Sequence, residues 1–392
     1  MSRRGQLDAV IVGGGVVGAA CALALAALDL EVALVEGRQP QPWSADAPDL
    51  RVYAFAADNA ATLARLGVWE AVRSARAQPY RRMRVWDAAG GGELAFDADS
   101  LGHAQLGWIV ENNLLVDRLW AALPGAGVRL YCPARLQACE QDETGVRLRL
   151  DDGIRLDARL AIAADGAAST LRTLAGLQVA SHDYRQSGVV AFIETAQPHQ
   201  DTAWQRFLDT GPLAVLPFAG GRSSIVWTLP EHEAARVVAL DEDAFGRELT
   251  AAFGARLGPM RAVSQRAAFP LRRQHADSYV AGRVLLVGDA AHVVHPLAGQ
   301  GVNLGLRDVS ALSETIAAAQ SRRVDWDTPH RLQRWSRQRR SDNAAAAYAF
   351  EGINRLFSND EMHATLLRGP LLGLAGRLPG LADALWRRAS GQ

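Results

Sequence analysis

Residues 8–36 read DAVIVGGGVVGAACALALAALDLEVALVE. The first five positions, Asp8 to Val12, are short and β-branched. An alanine- and leucine-rich run of helical length follows Gly18, and Glu31 to Val35 is a second apolar strand. Gly13, Gly15 and Gly18 fall at the strand-to-helix turn as GxGxxG. The first glycine permits the turn, the second lets backbone approach a pyrophosphate, and the third allows the helix to pack close to the strand. The helix start then presents unpaired N–H groups and a positive dipole end to that anion. Glu36 closes the second strand, where an acid accepts hydrogen bonds from ribose hydroxyls and repels a 2′-phosphate. The adenosine held here is therefore expected to belong to FAD or NAD rather than NADP.

A second glycine cluster lies at residues 288–309, GDAAHVVHPLAGQGVNLGLRDV. Val284 to Val287 reads as a buried strand, so Gly288 and Asp289 stand at its carboxyl end, where open α/β sheets bind ligands. Gly299, Gly301 and Gly305 then lead into a helix whose N–H groups can face a planar ring and stabilise negative charge on it. Two turns can thus serve one long ligand: the first takes a pyrophosphate, Asp289 a polyol, and the second helix start a ring that becomes anionic. A reduced flavin meets all three requirements.

The chain has 392 residues, 49% of them hydrophobic, and a formal net charge of zero. It can bury a large core in two domains or one elaborated domain, and it has no charge bias toward nucleic acid. All 42 basic residues are arginine, which excludes a Schiff-base or P-loop lysine. Cys21, Cys132 and Cys139 form no CxxC pair, and an odd count argues against a disulfide framework; buried thiols in a reducing compartment are expected. No metal site is expected. The start of the chain lacks the features of a signal peptide, and no run of apolar residues is long enough to span a bilayer. A soluble, cytoplasmic protein is the expectation.

The fold class expected is α/β: a Rossmann-like FAD-binding domain with an inserted, mostly antiparallel substrate domain and a helical C-terminus. The FAD-binding domain is assigned to 1–75, 105–178 and 270–325, the substrate domain to 76–104 and 179–269, and the helical region to 326–392. A hairpin is expected around Asp151, Asp152 and Gly153, a buried strand over Leu160 to Ala164, and a helix near Asp241 to Leu257. Tyr80 to Phe96 should add strands to the inserted sheet. Beyond Asp308 the pattern is helical, broken at Pro329 and Pro370. The C-terminal leucines have helical spacing and suit a bilayer surface, an isoprenoid tail, or packing on the domain or a second subunit.

Three segments, GGGVVG, ADGAAS and GDAAHVVHPLAGQGVNLGLRD, resemble the fingerprints of the group A flavoprotein aromatic hydroxylases, typified by para-hydroxybenzoate hydroxylase. Within that class the chain resembles the ubiquinone-biosynthesis ring hydroxylases over nearly its full length, through DLRVYAFAADNAATLARLGVWEAV, LGWIVENNLLVDRLW, FPLRRQHADSYV and RWSRQRRSDNAAAAYAF. The resemblance implies that Gly13, Gly15 and Gly18 contact the pyrophosphate and Glu36 the ribose. It places Arg51 along the FAD and Asn112 beside the flavin, and assigns Asp165 to an element shared by FAD and reduced pyridine nucleotide. Gly288 and Asp289 would hold the ribityl chain, with Pro296, Gly299, Gln300, Gly301 and Asn303 around the isoalloxazine. Tyr53 and Phe55 depart from the family pattern, in which a small and then an aliphatic residue are expected, and so could reshape the pocket.

The implied chemistry uses FAD, NADPH or NADH as co-substrate, and O2. A flavin C4a-hydroperoxide would deliver oxygen to an electron-rich ring, with the protein supplying binding, electrostatics and dryness. Trp204, Phe207, Phe218 and Trp227 are candidate pocket-lining residues. His292, His295 and Pro296 flank the flavin segment, with His295 and Pro296 assigned to the catalytic site. The substrate implied is a polyprenylated phenol or quinol, best matched by 2-polyprenyl-3-methyl-6-methoxy-1,4-benzoquinol through QPYRRM, FDADSLG and DTAWQRF. An isoprenoid tail would bring peripheral contact with the inner membrane or a biosynthetic complex; homo-oligomerisation stays open. A halogenase is excluded by the missing lysine and missing WxWxIP. Three alternatives stay open: a hydroxylase of another aromatic small molecule, a flavin-dependent lipid reductase or dehydrogenase, and a non-catalytic flavin-binding subunit.

Overall fold

The computed structural model describes residues 6–88, 93–294 and 300–357, with backbone alone at 300 and 347–357. Leu7–Val12 forms a central strand flanked in parallel by Val32–Val35 and Arg155–Ala163. Arg129–Tyr131 and Val284–Leu286 extend the parallel sheet on either side. Ala9, Val10, Ile11, Ala161 and Ile162 have zero exposure, as unbroken apolar strands covered on both faces should. The turn at Asp151 to Gly153 forms the expected hairpin, joining Val146–Leu150 to Arg155–Ala163.

A second sheet is mostly antiparallel and runs in the order His292–Val293, Ala267–Ala276, Val179–Thr195, Ser223–Pro230, Gly211–Pro217, Thr202–Leu208, Arg82–Asp87 and Glu93–Asp97. Arg82–Asp87 and Glu93–Asp97 come from the earlier segment predicted to join it; the first runs parallel to Thr202–Leu208. The helix expected near Asp241 is Glu242–Phe253, capped by the Asp241 side chain and stopped by left-handed Gly254, the usual asymmetry of helix ends. A further helix, Glu231–Ala239, did not stand out in the sequence. Both helices pack on one face of the second sheet, with Phe245, Leu249 and Phe253 against Trp227 and Leu229. A small third sheet pairs Val52–Phe55 and Ala77–Tyr80 with Gly107–Glu111.

Two long helices follow, Gln300–Ser321 and Pro329–Phe357, separated at Pro329 as expected; Pro370 and the C-terminal leucines lie outside the described residues. Among the described residues, no helix is long and apolar enough to cross a membrane. The two helices meet around one buried carboxylate. Asp308 Oδ2 accepts from the Gly288 amide at 3.1 Å and from His292 Nε2 at 2.6 Å. Its Oδ1 accepts from Arg339 Nε and Asn343 Nδ2, each at 2.9 Å. His292 is 1% exposed, so this buried hydrogen bond makes it an anchor for the turn that carries Asp289.

Burial works to raise the Asp308 pKa, but His292 and then Arg339 outweigh it, and the carboxyl sits below its ordinary value. The stability held in this depression is complete above about pH 4 and disappears as pH falls through the lower folded-state value. Removing the carboxylate would leave buried Arg339 with Asn343 and the half-exposed carboxylate of Asp342 as its partners, and without its buried counter-charge. Asp308→Ala is therefore predicted to cost about 3–5 kcal/mol in urea unfolding at neutral pH; an unchanged midpoint would refute the anchoring role.

Candidate functional site

At the first turn, Gly13 has φ of +105°, and a Cβ added there would lie 2.4 Å from the Ala164 carbonyl oxygen. A Cβ at Gly18 would stand 1.9 Å from the Gly13 oxygen, so packing demands both glycines. Gly15 is different. Its backbone is extended at φ −68°, and a Cβ there would meet no described residue within 4 Å. It faces open space at the start of helix Val16–Ala26, whose first turn has neither a side-chain cap nor an acid. The turn is held from behind: Trp120 Nε1 donates to the Gly14 carbonyl at 2.7 Å, and the Gly14 amide donates to Glu36 Oε2 at 2.6 Å. The Arg38 amide donates to Glu36 Oε1 at 3.0 Å. These bonds use about half of the carboxylate's four accepting positions.

A cleft of about 780 Å³ begins at this turn and ends against the second sheet. Gly13, Gly15, Glu36, Arg51, Asn112, Asp165, Asp289 and Gly301 all line it, although the sequence separates them by up to 288 positions. Three other expected residues lie behind the surface. Gly18 packs under the turn, Gly288 (φ +58°) backs onto Val17, and Asn303 is wholly buried. The Asn303 side chain is spent on protein, accepting from the Ala56 amide at 3.0 Å and from Asn59, and donating to the Ala54 carbonyl at 2.8 Å. It fixes the second helix start against strand Val52–Phe55. His295, Pro296, Gly299 and the Gln300 side chain lie outside the described residues.

Asp289 is open to a small molecule yet enclosed by the cleft walls, and this burial pushes its pKa above the ordinary carboxylate value despite an opposing effect of His292. Across from it, the Tyr53 hydroxyl donates to Asn112 Oδ1 at 3.0 Å, and Asn112 Nδ2 donates to Asp49 at 3.3 Å. Burial first, with Asp289 and Asp49 adding to it, holds the Tyr53 phenol well above its usual pKa despite Arg51, so it stays neutral. Tyr53 does line the cleft. Phe55 does not reshape it: that ring stacks on Trp69 at 5.5 Å in the core. Asp165 accepts from Ser169 Oγ and from the Thr170 and Leu171 amides, which fixes its turn and takes about three of the carboxylate's four accepting positions.

The aromatic lining needs correction. Trp204 and Trp227 pack on the helix-covered face of the second sheet, Trp204 edge-on to Trp86 at 6.2 Å. Phe218 tilts against Phe192 at 4.5 Å, and Phe207 packs on Val85. Strand side chains alternate, and it is the neighbours of the two tryptophans, Gln205, Val226 and Thr228, that reach the cleft. Sequence reasoning also missed two braces. Buried Arg172 donates to the Ala167 and Ala290 carbonyls at 2.7 and 2.8 Å, joining the Asp165 turn to the Asp289 turn. Glu111, at zero exposure, accepts from Arg76 and the Asp49 amide and so supports the segment bearing Arg51.

A family profile described as "FAD binding domain" matches residues 6–348. Ubiquinone hydroxylase UbiL of Rhodospirillum rubrum is 37% identical over 98% of this chain and 89% of its own. The 3-demethoxyubiquinol 3-hydroxylase of Escherichia coli K12 is 38% identical over 90% of each. The crystal structure of p-nitrophenol 4-monooxygenase PnpA from Pseudomonas putida superposes with a TM-score of 0.79, covering 98% of both chains at 20% identity, a likeness of fold.

The open space beside Gly15 gives a separable prediction. Gly15→Val should fold normally, because no described residue lies within 4 Å of the new Cβ. FAD affinity should fall about tenfold or more, equivalent to roughly 1.4 kcal/mol. A flavin-fluorescence titration, with thermal unfolding as control, measures both; unchanged affinity would contradict this use of the turn.

Proposed function

The chain belongs to the FAD-binding-domain family of flavoprotein aromatic hydroxylases, and from that premise we propose that it hydroxylates the ring of a polyprenylated phenol or quinol in ubiquinone biosynthesis. The preferred substrate is 2-polyprenyl-3-methyl-6-methoxy-1,4-benzoquinol, a reading supported by the name of the E. coli relative. The carrying observation is the continuity of the cleft, which runs from a nucleotide-type turn to an uncharged wall of Val190, Leu216, Val226 and Leu271.

The residues present fit FAD. Gly15 leaves room for a pyrophosphate at an uncapped helix start, and Glu36 retains accepting positions for ribose hydroxyls. Asp289 faces the middle of the cleft and hydrogen-bonds no other described residue, so it is free to accept from a polyol. Arg51, more than half exposed with Asp49 3.6 Å away, supplies positive charge along the same wall. FAD, once reduced by NADH or NADPH, supplies the activation of O2. The protein's part is to bind, orient and exclude water: the aliphatic wall strips solvent from the ring to be oxidised, and Asn112, fixed by Tyr53 and Asp49, offers a rigid polar edge.

A lipid-tailed substrate cannot fit wholly within 780 Å³ alongside a dinucleotide, so its tail must leave toward an apolar surface. Since no described helix is suited to crossing a bilayer, a peripheral contact with the inner membrane is the arrangement we favour. The reaction is tested by supplying a demethoxy polyprenyl quinol, NADPH or NADH and isotopically labelled O2. One labelled oxygen atom per product ring is expected. Nucleotide oxidation with an unlabelled, reduced lipid would instead identify a flavin-dependent reductase.

A further inference from the structure

The wall of the cleft built by the second sheet is ordered in rows. Gln205 pairs with Ala214, Ala214 with Val226, and Val226 with Val190, so these four side chains form a line across adjacent strands. In the next row toward the Gly211 end, Pro212 and Thr228 take the same face. Most of the wall is aliphatic. Among the described residues Phe269 is its one aromatic, and its polar members are Gln205, 8% exposed, and Thr228, 2% exposed, neither of which hydrogen-bonds the side chain of another described residue.

Although both residues are largely buried, neither contributes to the buried polar atoms that lack a partner; both line the cleft, so their amide and hydroxyl keep access to it and are available to a ligand. Valine would match the shape of Thr228 and leucine the bulk of Gln205 in the sheet; threonine and glutamine add a hydroxyl and an amide to side chains that line the cleft. The rest of this wall carries no charge among the described residues: Glu36, Arg51, Arg135, Asp165 and Asp289 all belong to the nucleotide side of the cleft. Two strands and one row separate the pair, roughly 12 Å between backbones at ordinary sheet spacing, room for one ring between two polar ends.

Resting on the hydroxylase reading above, we propose that Gln205 and Thr228 are the specificity-determining residues of this site, hydrogen-bonding the oxygen substituents of a neutral phenol or quinol. The same wall disfavours a ring that still carries a carboxylate, because it offers that anion no cation. The reaction that feeds this enzyme must then be one that has already removed any ring carboxylate.

The test compares wild type, Gln205→Leu, Thr228→Val and Thr228→Ser, each loaded with FAD and checked by flavin absorption. The substrates are a short-chain prenylated phenol and the same ring bearing a carboxylate. The two apolar variants should raise KM for the phenol about tenfold and uncouple nucleotide oxidation from hydroxylation, while Thr228→Ser stays near wild type. Wild type should bind the carboxylated ring at least about tenfold more weakly, read from perturbation of the flavin spectrum. Wild-type KM and coupling in both apolar variants would overturn the assignment, as would equal affinity for the two rings. A wild-type enzyme that holds FAD yet hydroxylates no prenylated phenol would instead overturn the functional reading, and this inference with it. Gln205→Leu decides alone should Thr228→Val fail to retain FAD.

Discussion

The close approach of two helix starts governs this molecule, and it is achieved by leaving out side chains. Val17, at the start of the first helix, fills the space between Gly288 and Gly305. A Cβ at Gly305 would stand 2.6 Å from a Val17 methyl and 3.0 Å from the Gly288 Cα; one at Gly288 would stand 3.2 Å from Val17. Interiors this tightly packed do not absorb an extra methyl without shifting backbone. Helix Val16–Ala26, the Gly288–Ala290 turn and helix Gln300–Ser321 therefore lock together, which sets Gly15 and Asp289 on one cleft. The Asp308 cluster fixes the same junction from the far side, and Arg172 carries it across to the Asp165 turn.

That junction also sorts charge. Ionisable groups and bare helix N–H groups gather at the nucleotide end, while the second sheet contributes small and aliphatic side chains, Phe269 and two neutral polar ones. Such a gradient suits a ligand that is anionic at one end and oily at the other. It also agrees with the chemistry of the family, in which oxygen transfer must proceed without water.

The nucleotide half was readable from sequence because its constraints are local. Gly18 is dictated by contact with the Gly13 carbonyl within a single strand–turn–helix unit, Gly13 by the positive φ of that turn, and Glu36 closes the next strand. The sheet half was less readable for a definite reason. Alternation along Thr202–Leu208 and Ser223–Pro230 shows that there are two faces but not which one the helices cover. Without helix Glu231–Ala239, the sequence leaves Trp204 and Trp227 only as candidates for the cleft or the core, and gives no sign that their neighbours reach it. Phe55 was misjudged similarly, since its stacking partner Trp69 lies in a different element. Arg172 and Glu111 act through bonds across 118 and 62 positions, for which spacing carries no signal.

The most direct test of the central claim is a crystal structure of the FAD-loaded protein. The account predicts one dinucleotide with its pyrophosphate at Gly13 to Gly15, its polyol at Asp289 and its ring turned toward Val190 and Gln205. FAD bound outside this cleft, or touching only one of the two glycine turns, would contradict it.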